Sequence, residues 1–214
     1  EHKLSGGIGV ISSRLLGEGP IKKNKGSYLI ATRGSYAHLF LKFTDIENVA
    51  YFYDINTKSN YKIDKNNTLY FSGYFGRDKF KLSDTFSNTY GNSTLNLRWN
   101  HIINEKTFSN TSLIFSDYYY GLTLNFVGFD WNSGIKNLNI KFDLKNYYSN
   151  KIQFNYGLNS IYYEFNPGVI KPINQSGINF TILERKFALE NSAYFDVVHK
   201  ASPKISLRYG FRLN

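Results

Sequence analysis

The sequence predicts an all-β fold: an antiparallel up-and-down meander of ten or eleven strands that forms part of a large transmembrane β-barrel. Three observations carry this. Apolar and polar residues alternate with period two in segment after segment. Short polar turns alternate with longer mixed connections. The aromatic load is high, with 18 Tyr, 18 Phe and 2 Trp in 214 residues. Side chains of a β-strand point to opposite faces in turn, so a period-two pattern is a strand with one greasy and one polar face. Many such strands of about ten residues, joined by turns, are the pattern of a barrel whose outside meets lipid and whose inside is wet.

The clearest alternation is Leu138, Ile140, Phe142 and Leu144 against Asn137, Asn139, Lys141 and Asp143. A second is Ile205, Leu207, Tyr209, Phe211 and Leu213 against Ser206, Arg208, Gly210, Arg212 and Asn214. Leu95, Leu97 and Trp99 interleave with Asn96, Arg98 and Asn100, and Ile152, Phe154, Tyr156 and Leu158 with Gln153, Asn155, Gly157 and Asn159. In order, the expected strands are Leu4–Val10, Ser12–Gly19, Ser27–Tyr36, Val49–Lys62, Thr68–Arg77, Ser93–Ile103, Thr107–Ser116, Gly134–Lys145, Lys151–Glu164, Phe187–Val198 and Lys204–Leu213. The first two count as one if they form a single bent strand. Lys22–Gly26, Asp64–Asn67, Asn104–Lys106, Tyr148–Lys151 and Lys200–Pro203 have the composition of tight turns. Gly34–Asn48, Asp78–Asn92, Asp117–Asn132 and Phe165–Arg185 read as long loops on the opposite rim. The whole of 1–214 reads as a single partial-barrel domain without a plug. A soluble β-sandwich is the rival for the same alternation.

Composition narrows the function classes. Mean hydropathy is -0.39, which an alternating wall produces as readily as a soluble protein. No segment has the eighteen or so consecutive apolar residues of a membrane helix. With no cysteine, disulfides, thiolate metal sites and cysteine nucleophiles are excluded. There is no methionine either, so the expectation is a processed form or an excerpt. The net charge of +10 is scattered singly, which argues against nucleic-acid binding. His2, His38, His101 and His199 share no ligand spacing. No nucleotide-binding or hydrolase motif is present. No metal, cofactor or enzymatic activity is expected.

Two constellations are candidates for function. The first is the aromatic stretch with Asp117, Tyr118, Tyr119, Tyr120, Asp130 and Trp131, whose rings and carboxylates suit ligand capture at a barrel mouth. The second is the lumen-facing set Arg33, Asp54, Lys58, Arg98, Lys141, Asp143, Arg208 and Arg212, with Glu190 beside it. These charges would line a solute path, pair with a plug, or balance one another across neighbouring strands.

The stretch LSGGIGVISSRLLGEGPI (Leu4–Ile21) resembles the start of the barrel in TonB-dependent outer-membrane receptors of Bacteroidetes. KGSYLIATRGSY, LYFSGYFGRDKF, GNSTLNLRWNHIINEKTFSNTSLIFSDY and ENSAYFDVVHKASPKISLRYGFRLN continue the resemblance in order. It implies the N-terminal half of a barrel wall of about twenty-two strands. It also implies an outer-membrane importer of a bulky nutrient, such as an iron chelate or an oligosaccharide. Its partners would be membrane lipid, a plug, the remaining barrel strands, an inner-membrane energy-transducing protein and a surface lipoprotein. The family's plug and TonB box are not expected within these 214 residues. The alternative is a structural or adhesive outer-membrane barrel that binds a partner through its loops.

Overall fold

The computed structural model describes residues 1–41, 48–173, 177 and 179–214. In chain order the strands are β1 (Lys3–Ile8), β2 (Ser12–Lys22), β3 (Gly26–Ser35), β4 (Val49–Lys62), β5 (Asn67–Leu82) and β6 (Phe86–Asn104). They continue as β7 (Thr107–Leu124), β8 (Phe129–Asn146), β9 (Ile152–Pro172), β10 (Thr181–Ile182), β11 (Lys186–Ser202) and β12 (Ile205–Leu213). One short helix, α1 (Ala37–Leu41), follows β3. All strands belong to one antiparallel sheet, and each pairs with its sequence neighbours. The exception is β10, a two-residue strand that pairs with β9 only, so that β9 joins β11 directly. The soluble sandwich is thereby replaced by a single-layer meander. Among the described residues β1 pairs with β2 alone and β12 with β11 alone, so the sheet is open.

Among the described residues no hydrophobic core lies behind this sheet. Apart from glycines, the buried residues are Val197 and a set of polar side chains, Asp54, Ser109, Ser112 and Ser192. The large apolar side chains are the exposed ones: Ile140 is 54 % exposed and Leu158 61 %. This inverts the arrangement of a water-soluble domain. Along β6 and β8 the apolar positions 95, 97, 99 and 138, 140, 142 are exposed, and the polar positions between them are partly covered. Cavities of about 1020 and 920 Å³ open on the polar side. The polar face is therefore the concave one.

Two sequence expectations need correction. Val10 lies in the tight connection between β1 and β2, where the Gly9 amide donates to the Ser12 carbonyl at 3.0 Å. More important, Asp78–Asn92 and Asp117–Asn132 are not loops. β5 runs to Leu82 and β6 begins at Phe86, with Thr85 N–H closing on Leu82 O at 3.1 Å. β7 runs to Leu124 and β8 begins at Phe129, around a turn in which Gly128 adopts φ +72°. Likewise β9 extends to Pro172, well into the expected loop Phe165–Arg185, of which 174–176 and 178 lie outside the described residues. Part of Gly34–Asn48, residues 42–47, also lies outside them. The central strands β5 to β9 are 16 to 21 residues long, against the 9–11 or so that cross a hydrocarbon core.

Local devices hold the ladder. The Asp64 carboxylate caps the β4–β5 turn, accepting from the Asn66 and Asn67 amides at 2.7 and 2.8 Å and from the Asn67 side chain. The Asn67 side-chain bond holds this carboxyl below the usual carboxylate range. Gly157 stands between Asp143 and Tyr194 in the cross-strand register. The bare glycine lets the Tyr194 ring cross β9, and its hydroxyl donates to Asp143 Oδ1 at 2.7 Å. A Cβ on Gly157 would stand 2.5 Å from the Phe142 carbonyl oxygen and 2.7 Å from the Tyr194 ring. Gly157→Ala is therefore expected to destabilise the fold by about 1–3 kcal/mol through overpacking. Gly177→Ala, with nothing within 4 Å of its Cβ, is the reference. Denaturant titration of the two variants checks this, and equal stabilities would remove the role given to Gly157.

Candidate functional site

The register fixes which residues share a face. From concave Asp54 it runs through Gly76, Asn92, Tyr118 and Ile135 to Phe165, one row across six strands. Strand alternation then assigns every other position. Arg33, Lys58, Arg98, Lys141, Asp143, Arg208 and Arg212 fall on the same concave face as Asp54.

Some of these charges are paired, Arg33 and Arg208 with a carboxylate on the neighbouring strand and Lys141 with one on its own strand. Arg33 Nε donates to Asp54 Oδ2, and Asn56 Nδ2 donates to Asp54 Oδ1 at 3.2 Å. Asp54 is only 5 % exposed, so its charge is held by these partners. The Arg33 guanidinium also lies 5.3 Å from the Phe52 ring centre. Lys141 Nζ is 3.1 Å from Asp143, and Arg208 grips Asp196 through two bonds of 3.1 and 3.0 Å. Asn155 donates to Asp196 at 2.8 Å, and Arg212 donates to Ser192 Oγ at 2.8 Å. Lys58 has no ion pair among the described residues. Arg98 has none either and stacks 4.4 Å from the Tyr70 ring centre.

The aromatic candidates do not form one cluster, because consecutive strand residues cannot share a face. Tyr118, Tyr120 and Trp131 lie on the concave face, where the rings of Tyr120 and Trp131 meet edge to face at 5.7 Å. Trp131 Nε1 donates to the Pro167 carbonyl at 3.0 Å. Asp117, Tyr119 and Asp130 lie on the opposite face. There Lys136 Nζ approaches Asp117 at 3.6 Å, Tyr119 donates to Asn132 at 2.7 Å, and Thr123 donates to Asp130 at 3.0 Å. Arg77 stacks 5.7 Å from the Tyr119 ring centre.

These placements share one cause: the polarity of the two faces inverts partway along each central strand. On β8 the convex residues Leu138, Ile140, Phe142 and Leu144 give way to Lys136. Beyond it the apolar residues are Ile135, Trp131 and Phe129, on the concave side. On β5, Phe71 and Phe75 give way to Arg77, and Phe80 and Leu82 change sides. On β6, Leu95 and Leu97 give way to Ser93, with Tyr90 and Phe86 now concave. On β7, Leu113 and Phe115 give way to Asp117, with Tyr120, Leu122 and Leu124 concave. On β9, Leu158 and Tyr162 give way to Glu164, with Phe165 concave. The register aligns the changeover as a single row, Ser93–Asp117–Lys136–Glu164. Arg185 closes the row on Glu164 at 2.7 Å.

The sheet thus has an apolar convex band, Leu138 to Leu144 on β8, and, beyond it, an aromatic concave surface behind a polar exterior. Ile135, Phe165, Tyr90, Phe86 and Phe80 belong to that surface and were not among the sequence candidates. Their signal was present as a phase change in the alternation. The stretches carrying it read as loops because the first phase stopped there. Aromatic faces with a few polar tips suit the capture of a bulky ligand at a barrel mouth.

No family model matches this chain, and no curated protein does. Among solved structures, the crystal structure of the siderophore receptor PirA from Pseudomonas aeruginosa aligns with a TM-score of 0.65 at 10 % identity. The likeness is one of fold alone: an antiparallel meander similar to part of that receptor. The alignment covers 94 % of this chain and 33 % of PirA, so the chain spans about a third of that receptor's length.

The two tryptophans report the inversion. Trp99 is on the convex band, its Nε1 donating to Asn67 at 2.9 Å, and Trp131 is on the concave surface beyond it. In bilayers of lipid with brominated acyl chains, the Trp131→Phe variant, which keeps Trp99, is expected to be quenched strongly. The Trp99→Phe variant, which keeps Trp131, is expected to respond to aqueous iodide and not to the lipid. The same quenching pattern in both variants would undo the assignment of faces.

Proposed function

We propose that this chain is a wall segment of an outer-membrane importer of the TonB-dependent type. It would import a bulky nutrient such as an iron chelate or an oligosaccharide. The carrying observation is the convex apolar band, bounded by the charged row Asp117–Lys136–Glu164, on a single-layer sheet without a hydrophobic core. Such a band is stable against hydrocarbon and unstable against water. The likeness in fold to PirA supports the same reading. In it the convex face meets outer-membrane lipid, and the concave face meets solute and a plug. The open edges of β1 and β12 pair with further strands, since unpaired backbone groups in hydrocarbon cost several kcal/mol each. An inner-membrane protein supplies the energy, and catalysis has no part in it.

Uptake tests the reading. Cells lacking this protein are expected to lose energy-dependent accumulation of one class of bulky solute, and to regain it on complementation. Unchanged accumulation of all such solutes, together with lost attachment to a surface or partner cell, would favour the adhesive alternative. Membrane placement has its own test. Ile140 sits mid-band, so Ile140→Arg is expected to cost about 2–4 kcal/mol in a bilayer folding assay. Lys141→Arg, on the concave face, is expected to stay within about 0.5 kcal/mol. Equal effects of the two would rule out a lipid-facing convex band.

A further inference from the structure

Positive charge that is scattered along the sequence is gathered by the fold onto one rim. The β2–β3, β4–β5, β6–β7, β8–β9 and β11–β12 turns all lie at the same end of the meander. Between their strands stand Lys23, Lys25, Lys65, Lys106, Lys151 and Lys204, all exposed, against the carboxylates of Asp64 and Glu105 alone. Asp64 is taken up by its own turn, where it accepts from the Asn66 and Asn67 amides. Lys22, Lys62 and Lys200 add charge at the adjoining strand ends. None of these lysines has an ion pair among the described residues. The opposite rim differs. There Lys81, Lys136, Arg185 and Lys186 meet Asp84, Asp117, Glu164 and Glu184 in turn. The other cations there, Arg77, Lys79 and Lys171, stand with the carboxylates Asp78 and Asp130.

The backbone holds the lysines in a row. Each turn is tied to the next strand end: Lys62 N–H to Lys25 O at 2.7 Å, Ile102 N–H to Asn66 O at 2.8 Å, Tyr147 N–H to Lys106 O at 2.7 Å and Lys200 N–H to Lys151 O at 2.8 Å. The charges therefore form a line across the sheet and not a patch. Between this line and the apolar band the convex face is aromatic. Trp99 lies there, Tyr148 packs on Phe154 at 5.7 Å, and Phe154 stacks on Phe195 at 5.9 Å.

The residue type narrows the partner. Lysine is a point charge on a flexible stem, suited to a diffuse layer of anions. No arginine stands in these turns, although arginine carries ion pairs elsewhere on the sheet. An acidic protein would cover a patch. Apolar band, aromatic strip and lysine row follow one another in height as acyl chains, interface and phosphates do in a lipid leaflet.

We propose that the short-turn rim binds the head groups of anionic phospholipids. Their phosphates lie against the lysine row and their acyl chains against the convex band. The proposal rests on the lipid-facing band of the importer reading and names the lipid that meets one rim of it.

Trp99 can report this, because Lys65 and Lys106 occupy the two turns nearest its end of β6. The Trp131→Phe variant is placed in bilayers of equal parts phosphatidylcholine and phosphatidylglycerol, with brominated acyl chains on one lipid or the other. Quenching is expected to show phosphatidylglycerol enriched about threefold or more around Trp99. The enrichment should fall as salt rises from about 50 to about 500 mM. Lys65→Gln combined with Lys106→Gln should bring it close to parity. Lys79→Gln, at the opposite rim, should leave it unchanged. Equal quenching by the two brominated lipids overturns the proposal and leaves the lipid-facing band standing. A preference that salt does not weaken, or that Lys79→Gln removes equally, also overturns it. Quenching by neither lipid removes the lipid-facing band and the proposal with it. If the variants do not fold, the two lipids and the salt series on the unaltered protein, with Trp131 as a constant background, still decide.

Discussion

The backbone ladder is the interaction on which the rest of this molecule depends. Among the described residues there is no core of interlocked apolar side chains to define the structure. What defines it is the register of each strand against the next, unbroken over fourteen pairs between β4 and β5 and over sixteen between β5 and β6. Because side chains alternate with period two, a slip of one residue would send Ile140 to the concave side and Lys141 to the convex side, together with every residue on the strand. Glycines such as Gly157 and asparagine-rich turns such as Asp64–Asn67 fix that register. Each lets one side chain reach a partner that no other register would offer.

Two faces with independent demands follow from this ladder. The convex face needs only to match its surroundings, and it does so in two zones: apolar from about Leu144 to Leu138 on β8, then charged from Lys136 onward. The concave face carries hydrogen-bonded networks such as Arg33–Asp54–Asn56 and Asn155–Asp196–Arg208. Above them it turns aromatic at Tyr120 and Trp131. Both changes occur at the same height, along the row Ser93–Asp117–Lys136–Glu164. In the membrane placement proposed above, that row is where the exterior becomes wet and apolar side chains are better placed inside.

That shared cause also explains what the sequence revealed and what it concealed. The runs Leu138–Leu144 and Ile205–Leu213 declared strand and facing directly. So did the polar turns at 22–26, 64–67 and 104–106. The outer halves of β5 to β9 were hidden, since Phe80, Phe86 and Tyr90 occupy the positions that Phe71, Leu95 and Leu97 leave polar. A pattern sought in one phase ends where the phase flips, although the backbone continues. The three consecutive residues Tyr118, Tyr119 and Tyr120 looked like a single binding cluster for a related reason. Composition places them together, and only the knowledge that β7 continues to Leu124 separates Tyr119 from its neighbours. Cross-strand partners such as Asn155 with Asp196, 41 positions apart, depend on register and have no local signature.

Pairing also separates the charges that maintain the wall from those free to do something else. A buried carboxylate such as Asp54 would destabilise the sheet if Arg33 were lost, because an uncompensated charge would remain. The same holds for Asp196 and Arg208. Lys58 and Lys62 carry no such obligation to a carboxylate. Arg212 on the same face likewise meets no carboxylate among the described residues and is held by Ser192 Oγ instead. Where a charge is tied to the wall its counter-ion stands one strand away, as for Arg33 and Arg208, or two residues along the same strand, as for Lys141.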